Sequence, residues 1–238
     1  QLQVLVDSSI EHGVLVLSFG SSVEVIPRHI LDILKDAFSK IDQTVIMKHP
    51  VPLPDFPSNV HVHSSWLPQN DLLAHQNTVL FITHCGNNGQ YESLYHGVPM
   101  IGIPLFGDQF HNCHRAFAHG YGVQLKGIQE FTSTDLVTAI REVTGNPVYR
   151  NNTKRASMIM KADPIGPKQK IAIAVESVML YGGQHLRSSA YDLHWAQYLM
   201  LDVIAALVVV LMIFIYASIR FIAWVYRLIT RMSKTKDD

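Results

Sequence analysis

From Val203 to Ile219 the chain runs seventeen residues without a charge, VIAALVVVLMIFIYASI. A helix apolar on every face finds no stable place on the surface of a water-soluble domain. Apolar neighbours on both sides extend this one to about 20 residues, the length that crosses a bilayer. Trp195, Tyr198, Trp224 and Tyr226 stand near its ends, where aromatic rings settle at headgroup level. Beyond it lie Arg220, Arg227, Arg231, Lys234 and Lys236 against Asp237 and Asp238. That basic excess predicts a cytosolic C-terminus, with the preceding residues on the far side of the membrane. The expected division is a folded domain over 1–183, a juxtamembrane segment over 184–198, a span over 199–221 and a basic tail over 222–238.

About 200 residues precede the span, enough for one α/β domain with a full core and short for two. The formal net charge is 0, so with the basic residues gathered in the tail the domain itself is mildly acidic. It carries no basic stripe with interleaved aromatics, which argues against a nucleic-acid partner. Two cysteines, Cys85 and Cys113, are too few for a disulfide framework. His111 and His114 flank Cys113, a pattern that fits a metal ligand set or, more simply, a helix start beside a pocket. None of the thirteen histidines falls in an HExxH or similar metal-binding spacing. The chain opens on QLQVLVDSSIEHG, helix-like and without Met or signal peptide, and reads as a partial or truncated product.

Short apolar runs alternate with helical stripes through Gly127. GVLVLSFG, TVIMKH, NVHVHSSW, TVLFITH and PMIGIP read as strands, and GVQLK as an edge strand. Between them, RHILDILKDAFSKI carries Ile30, Leu31, Leu34 and Phe38 on one helical face. LPQNDLLAHQ, GNNGQYESLYHG and DQFHNCHRAFAHG are helices too, the last closed by Gly120. TSTDLVTAIREVTG is a further helix, with Thr132 or Ser133 as cap and Asp135 in its first turn. Two more helices follow, ending at Gly182 and Gly183. Strand–helix alternation at this spacing predicts an α/β domain, a Rossmann-like parallel sheet covered on both faces.

In such a sheet the strand ends collect on one edge, and the polar residues fall there. Ser21 follows the first strand, His84 ends the fourth, Asn88 and Gly89 lie in the next helix turn, and Asp108 and Gln109 follow the fifth. A helix starting near Gly86 offers free N–H groups and the positive end of its dipole to a phosphate. Trp66 is a platform for a base, and Glu92, one helical turn beyond Asn88, can accept two ribose hydroxyls but would repel phosphate. The chemistry orders a nucleotide-sugar: base on Trp66, ribose on Glu92, phosphates on Ser21, His84 and the helix start, sugar on Asp108 and Gln109. Each residue alone has a plainer reading, with Trp66 as core, Asp108 as helix cap and Glu92 as a solvated helix residue. Neither GxGxxG nor GxxxxGK[ST] occurs, which argues against a dinucleotide cofactor or an NTPase. A nucleotide-sugar epimerase fits the sheet but not the membrane span. Asn151-Asn152-Thr153 is a glycosylation sequon, placing Asn151 as its acceptor.

WLPQNDLLAH and FITHCGNNGQYESLYHGVPMIGIPLFGDQFHN resemble the signature of the UDP-glycosyltransferases, most closely their animal, glucuronosyltransferase-like branch. The resemblance runs from about Val14 into the tail. It implies a GT-B fold, of which this chain is the C-terminal, donor-binding domain plus its membrane anchor. Carried over, Trp66 and Gln69 hold the uracil and ribose end and Glu92 the ribose hydroxyls. Ser21, His84, Asn88 and Gly89 hold the diphosphate, and Asp108 and Gln109 the transferred sugar, with Asn112 answering the family's closing Asn. Cys85 stands where many animal members have Gly, and Asn87 replaces a small residue or a plant-type Trp. The implied reaction is inverting glycosyl transfer, glucuronosyl or hexosyl, from a UDP-sugar to a small lipophilic acceptor, with no metal or other cofactor. The family's general base, a His oriented by an Asp, belongs to the N-terminal domain, so no catalytic residue is expected on this chain. The polypeptide is then either part of a full enzyme or an inactive accessory protein that binds UDP-sugar or pairs with full-length relatives. The family's members are type I proteins of the endoplasmic reticulum with lumenal sites, and the KTKDD tail resembles their lysine-based retrieval signal.

Overall fold

Strands buried on both faces read as nearly continuous apolar runs, and β1 (Val14–Ser18), reading VLVLS, is buried throughout. A computed structural model describes residues 2–234 apart from Ser22, Glu24, Ile128 and Gln129, with backbone alone from 228. Lys236, Asp237 and Asp238 of the tail lie outside the described residues, as do the side chains of Arg231 and Lys234. After α1 (Leu2–Ser8) and β1 come α2 (Arg28–Phe38), β2 (Thr44–Lys48), β3 (Val60–His63), α3 (Gln69–Ala74) and β4 (Thr78–Thr83). Then follow α4 (Asn87–His96), β5 (Met100–Gly102), α5 (Gln109–Ala118), β6 (Gly122–Gln124), α6 (Ser133–Gly145) and α7 (Pro147–Lys161).

The six strands form one sheet in the order β3-β2-β1-β4-β5-β6, with every neighbouring pair parallel. This is the Rossmann-like parallel α/β architecture that the strand–helix alternation predicts. The strand order reverses between β1 and β4, where an open parallel sheet leaves a crevice at its carboxyl edge. Leu17 pairs with Ile82 and Ser18 with Thr83, so the residues after β1 and β4 leave the sheet side by side.

Alternation along the strands divides the core. Leu15, Leu17, Val45, Met47, Leu80 and Ile82 point to one face and meet Ile30, Leu34 and Phe38 of α2 with Leu136 and Ile140 of α6. Val14, Val16, Ile46, Phe81 and Met100 point to the other and meet Val6, Leu72, Leu73 and Ala116. Burying each such side chain contributes roughly 1.5–3 kcal/mol. The helix ends follow the sequence: Thr132 and Asp135 form a reciprocal capping box on α6. Asn146 caps α7 with Pro147 in its first turn.

Residues 1–164 form one compact unit and 165–238 a second. The sequence reading carries the domain to 183 and so includes α8 (Pro167–Tyr181), which groups here with the second unit. That unit continues through two short 3-10 turns and α9 (Trp195–Tyr198) to α10 (Leu201–Lys234). Within α10, Leu201–Arg227 is long and apolar enough to cross a membrane. The helix starts later and runs further than the expected span: Leu199 caps α9, Met200 takes φ 58, and helical backbone continues to Lys234.

Leu34 is fully buried between α2 and the sheet. Leu34→Ala is expected to cost about 3 kcal/mol, read as a lowered urea midpoint at unchanged slope.

Candidate functional site

The crevice predicted by the strand order is occupied by a cleft of about 570 Å³. Ser18, Gly20 and Ser21 line it from the end of β1, Thr83 and His84 from the end of β4. Trp66 and Gln69 contribute from the β3–α3 junction, and Gly86, Asn88, Gly89 and Glu92 from α4 and its entry turn. Seven of the nine expected binding residues therefore meet in one cavity: Ser21, Trp66, Gln69, His84, Asn88, Gly89 and Glu92.

One contact and two local features shape the walls. The Gln69 Nε2 group donates to Glu92 Oε2 at 2.6 Å, so α3 and α4 brace the carboxylate and leave its other oxygen open. Trp66 is not core: the residue is 80% exposed and lines the cleft. Gly86 precedes α4 in extended conformation with no side-chain cap, leaving the first amides of that helix facing the cleft.

His84 depends on two glycines. A Cβ on Gly20, which takes φ +78, would lie 2.9 Å from the imidazole Cε1, and one on Gly86 would collide with the same ring. The ring fills the space their missing side chains leave. Its Nδ1 is buried without a partner in hydrogen-bond geometry. Burial pushes the His84 pKa below its usual value, while the Ser18 backbone and the Asp108 charge hold it up.

Asp108 and Gln109 stand outside the cleft lining. Gln109 is buried, and its Oε1 accepts from the backbone N–H of Leu105 at 2.9 Å and of Phe106 at 3.1 Å. Asp108 is exposed and accepts from Asn112 Nδ2 at 2.7 Å, so Asn112 braces it; no side-chain capping bond to α5 is made. The sequence reading missed Lys48, which ends β2 and lines the cleft. Its signal was available, a lone cation closing an apolar strand beside β1.

Too few for a framework, the two cysteines are nonetheless bonded to each other, with Cα atoms 5.3 Å apart. Among the described residues no group of three or more His, Cys, Asp and Glu is placed to hold a metal ion. Asn151 lies exposed on α7, but Thr153 of its sequon is buried, its hydroxyl donating to the Gly97 carbonyl at 3.0 Å.

Residues 1–236 match the family described as "UDP-glucoronosyl and UDP-glucosyl transferase". The chain belongs to this family of UDP-glycosyltransferases. It is 40% identical over 228 residues to human UDP-glucuronosyltransferase 1A9, covering 95% of this chain and 43% of that protein. The figures for human UDP-glucuronosyltransferase 1A1 are the same, 40% over 228 residues, 95% and 43%. The chain thus spans less than half the length of the curated relatives it matches. Among solved structures, a UDP-glucosyltransferase from Polygonum tinctorium shares the fold at TM-score 0.65 and 23% identity, covering 75% of this chain and 43% of that one. A variant of Os79 from O. sativa, solved in complex with UDP, gives TM-score 0.62 and 22% identity, with 75% and 43% covered.

The His84 ring binds its proton less readily in the folded UDP-glycosyltransferase domain than in the unfolded chain. Its burial therefore costs nothing above pH 6.5, and stability falls as pH drops from 6.5 through the lowered folded pKa. In urea unfolding at about pH 7.5 and about pH 5, His84→Gln is expected to lose less stability on acidification than the parent chain.

Proposed function

We propose that this domain holds the donor of a membrane-anchored UDP-glycosyltransferase, which moves a glucuronosyl or hexosyl unit from a UDP-sugar to a small lipophilic acceptor. The observation that carries this reading is the set of groups that the β1–β4 crevice brings together: exposed Trp66, the braced Glu92, and the uncapped start of α4 beside His84. Uracil stacks on Trp66, which is free to receive it. The ribose hydroxyls donate to Glu92, whose negative charge stands beyond the phosphates. The diphosphate takes the Asn88 and Gly89 amides, Ser21, Lys48 and His84, a set of donors for the charge that grows on UDP as it leaves. Asp108 accepts from the sugar. Gln109 has only its amide nitrogen left for that purpose, since its oxygen is committed to the loop. The Os79 structure with UDP supports the choice of nucleotide.

Acceptor deprotonation is assigned to a His–Asp pair in the family's acceptor domain, outside these 238 residues. The chain alone then binds UDP without transferring sugar. Charge around α10 supports a type I arrangement in the endoplasmic reticulum membrane, with the donor domain lumenal and the tail cytosolic. In that arrangement Asn151 is a glycan acceptor, but the buried Thr153 hydroxyl requires attachment before α7 packs.

Titration calorimetry on the full chain in detergent micelles tests the donor site. Saturable UDP binding is expected, weakened about tenfold or more in both Glu92→Ala and His84→Ala. Absence of saturable heat sinks the reading, and unchanged affinity in both variants removes the residue assignments. For the glycan, translation with microsomes is expected to give a glycosidase-sensitive mass shift that Asn151→Gln abolishes. Folded chain supplied to the same microsomes afterwards should stay unmodified, and a shift there would contradict the burial argument.

A further inference from the structure

The Cys85–Cys113 bond joins the two segments that frame the proposed donor site. Cys85 lies between His84 and Gly86, which both line the cleft, and it takes φ 66. A left-handed backbone is costly for a residue with a Cβ and persists only where its surroundings enforce it. Hydrogen bonds hold this turn weakly: Cys85 N–H donates to Thr83 Oγ1 at 3.3 Å, and Gln90 Nε2 to the Cys85 carbonyl at 3.5 Å. Cys113 sits on α5, one turn beyond Asp108 and Gln109. Both cysteines are fully buried. The sheet is cut away to admit them. A Cβ on Gly102 of β5 would lie 2.5 Å from Cys113 Sγ and 2.6 Å from Phe117, and would also strike Cys85 Sγ.

Bonded sulfurs sit about 2.05 Å apart. Two unbonded heavy atoms need roughly 3.5–4 Å. The Gly102 backbone lies against both sulfurs on one side, so reduction loads the Cys85 turn and α5 with the extra separation. That turn aims the first amides of α4 at the cleft.

Resting on the donor-site reading above, we infer that the Cys85–Cys113 disulfide is a positioning element for the donor diphosphate. Oxidised, it fixes the start of α4 against the start of α5 at the spacing that grips UDP. As a dithiol, the site holds UDP less tightly. The bond forms by thiol–disulfide exchange with a small-molecule disulfide such as oxidised glutathione. One cysteine thiolate attacks it, releasing one glutathione thiolate and leaving a mixed disulfide. The other cysteine thiolate then displaces the second glutathione thiolate. The two cysteine protons pass to the two released thiolates, the cysteines are oxidised and glutathione is reduced. Linkage makes the effect reciprocal. If the disulfide tightens UDP binding by some factor, bound UDP must resist reduction of the disulfide by the same factor.

The full chain in detergent micelles is equilibrated over a series of reduced-to-oxidised glutathione ratios, with and without saturating UDP, and its thiols are counted by alkylation and mass. Calorimetry with UDP and with UMP follows on the oxidised and reduced forms. Reduction is expected to raise the UDP Kd about tenfold and the UMP Kd by less, and UDP should shift the glutathione midpoint by the UDP factor. Cys113→Ala should bind UDP like the reduced chain at every glutathione ratio. A brace that serves stability alone would lower the unfolding midpoint while leaving the UDP-to-UMP ratio unchanged, and that result overturns the inference. Equal UDP affinity of the two forms, or a glutathione midpoint that UDP does not move, overturns it as well. No UDP binding in either form removes the donor-site reading itself and the inference with it.

Discussion

Everything in the α/β domain hangs on β1. With β4 it forms the central pair at which strand order reverses, and its side chains pack against helices on both faces. Leu15 and Leu17 commit one face to α2 and α6, while Val14 and Val16 commit the other to α1 and α3. A one-residue slip would exchange the two sets and move Ser18 away from Thr83. The cleft inherits its geometry from that register, because Gly20 and His84 leave adjacent strands two or fewer residues later.

Around this frame the site works by subtraction as much as by placement. Glycines at 20 and 86 remove side chains where the His84 ring stands. Gly86 also withholds a cap, so amides that a Ser or Asp would have occupied stay available. Positive contributions come from one side chain fixing another: Gln69 holds Glu92, and Asn112 holds Asp108. Such pairs lower the freedom a ligand would otherwise have to freeze. The lining combines both signs of charge: the carboxylates of Asp71 and Glu92 stand in the same cleft as the Lys48 ammonium, the His84 ring and the start of α4.

Much of this was legible in the sequence because it is local or periodic. Apolar runs such as the VLVL of β1 announce buried parallel strands, Thr132 with Asp135 announces its own helix start, and the strand ends name the edge where Ser21 and His84 gather. What escaped depends on contacts across long separations. The Cys85–Cys113 bond needs β5 and α5 folded back on the turn after β4, and two cysteines give no hint of that. Gln109 reads as a ligand by residue type, yet its oxygen turns back onto the Leu105 and Phe106 amides, a choice made by loop geometry. Lys48 gives only a weak signal, a single cation closing an otherwise apolar strand. The extent of α10 was underestimated since charge marks where apolar surface ends, whereas helical hydrogen bonding continues through Arg220 and Arg227 without interruption.

The exposure of Trp66 has an optical consequence. The chain has three tryptophans, and the other two, Trp195 and Trp224, belong to the second compact unit. Indole emission from the first unit therefore originates at one place, the lining of the cleft. A tryptophan 80% open to water emits at long wavelength, and a base laid flat against it would both dry and quench it. The domain carries its own fluorophore at the position where occupancy changes the surroundings most.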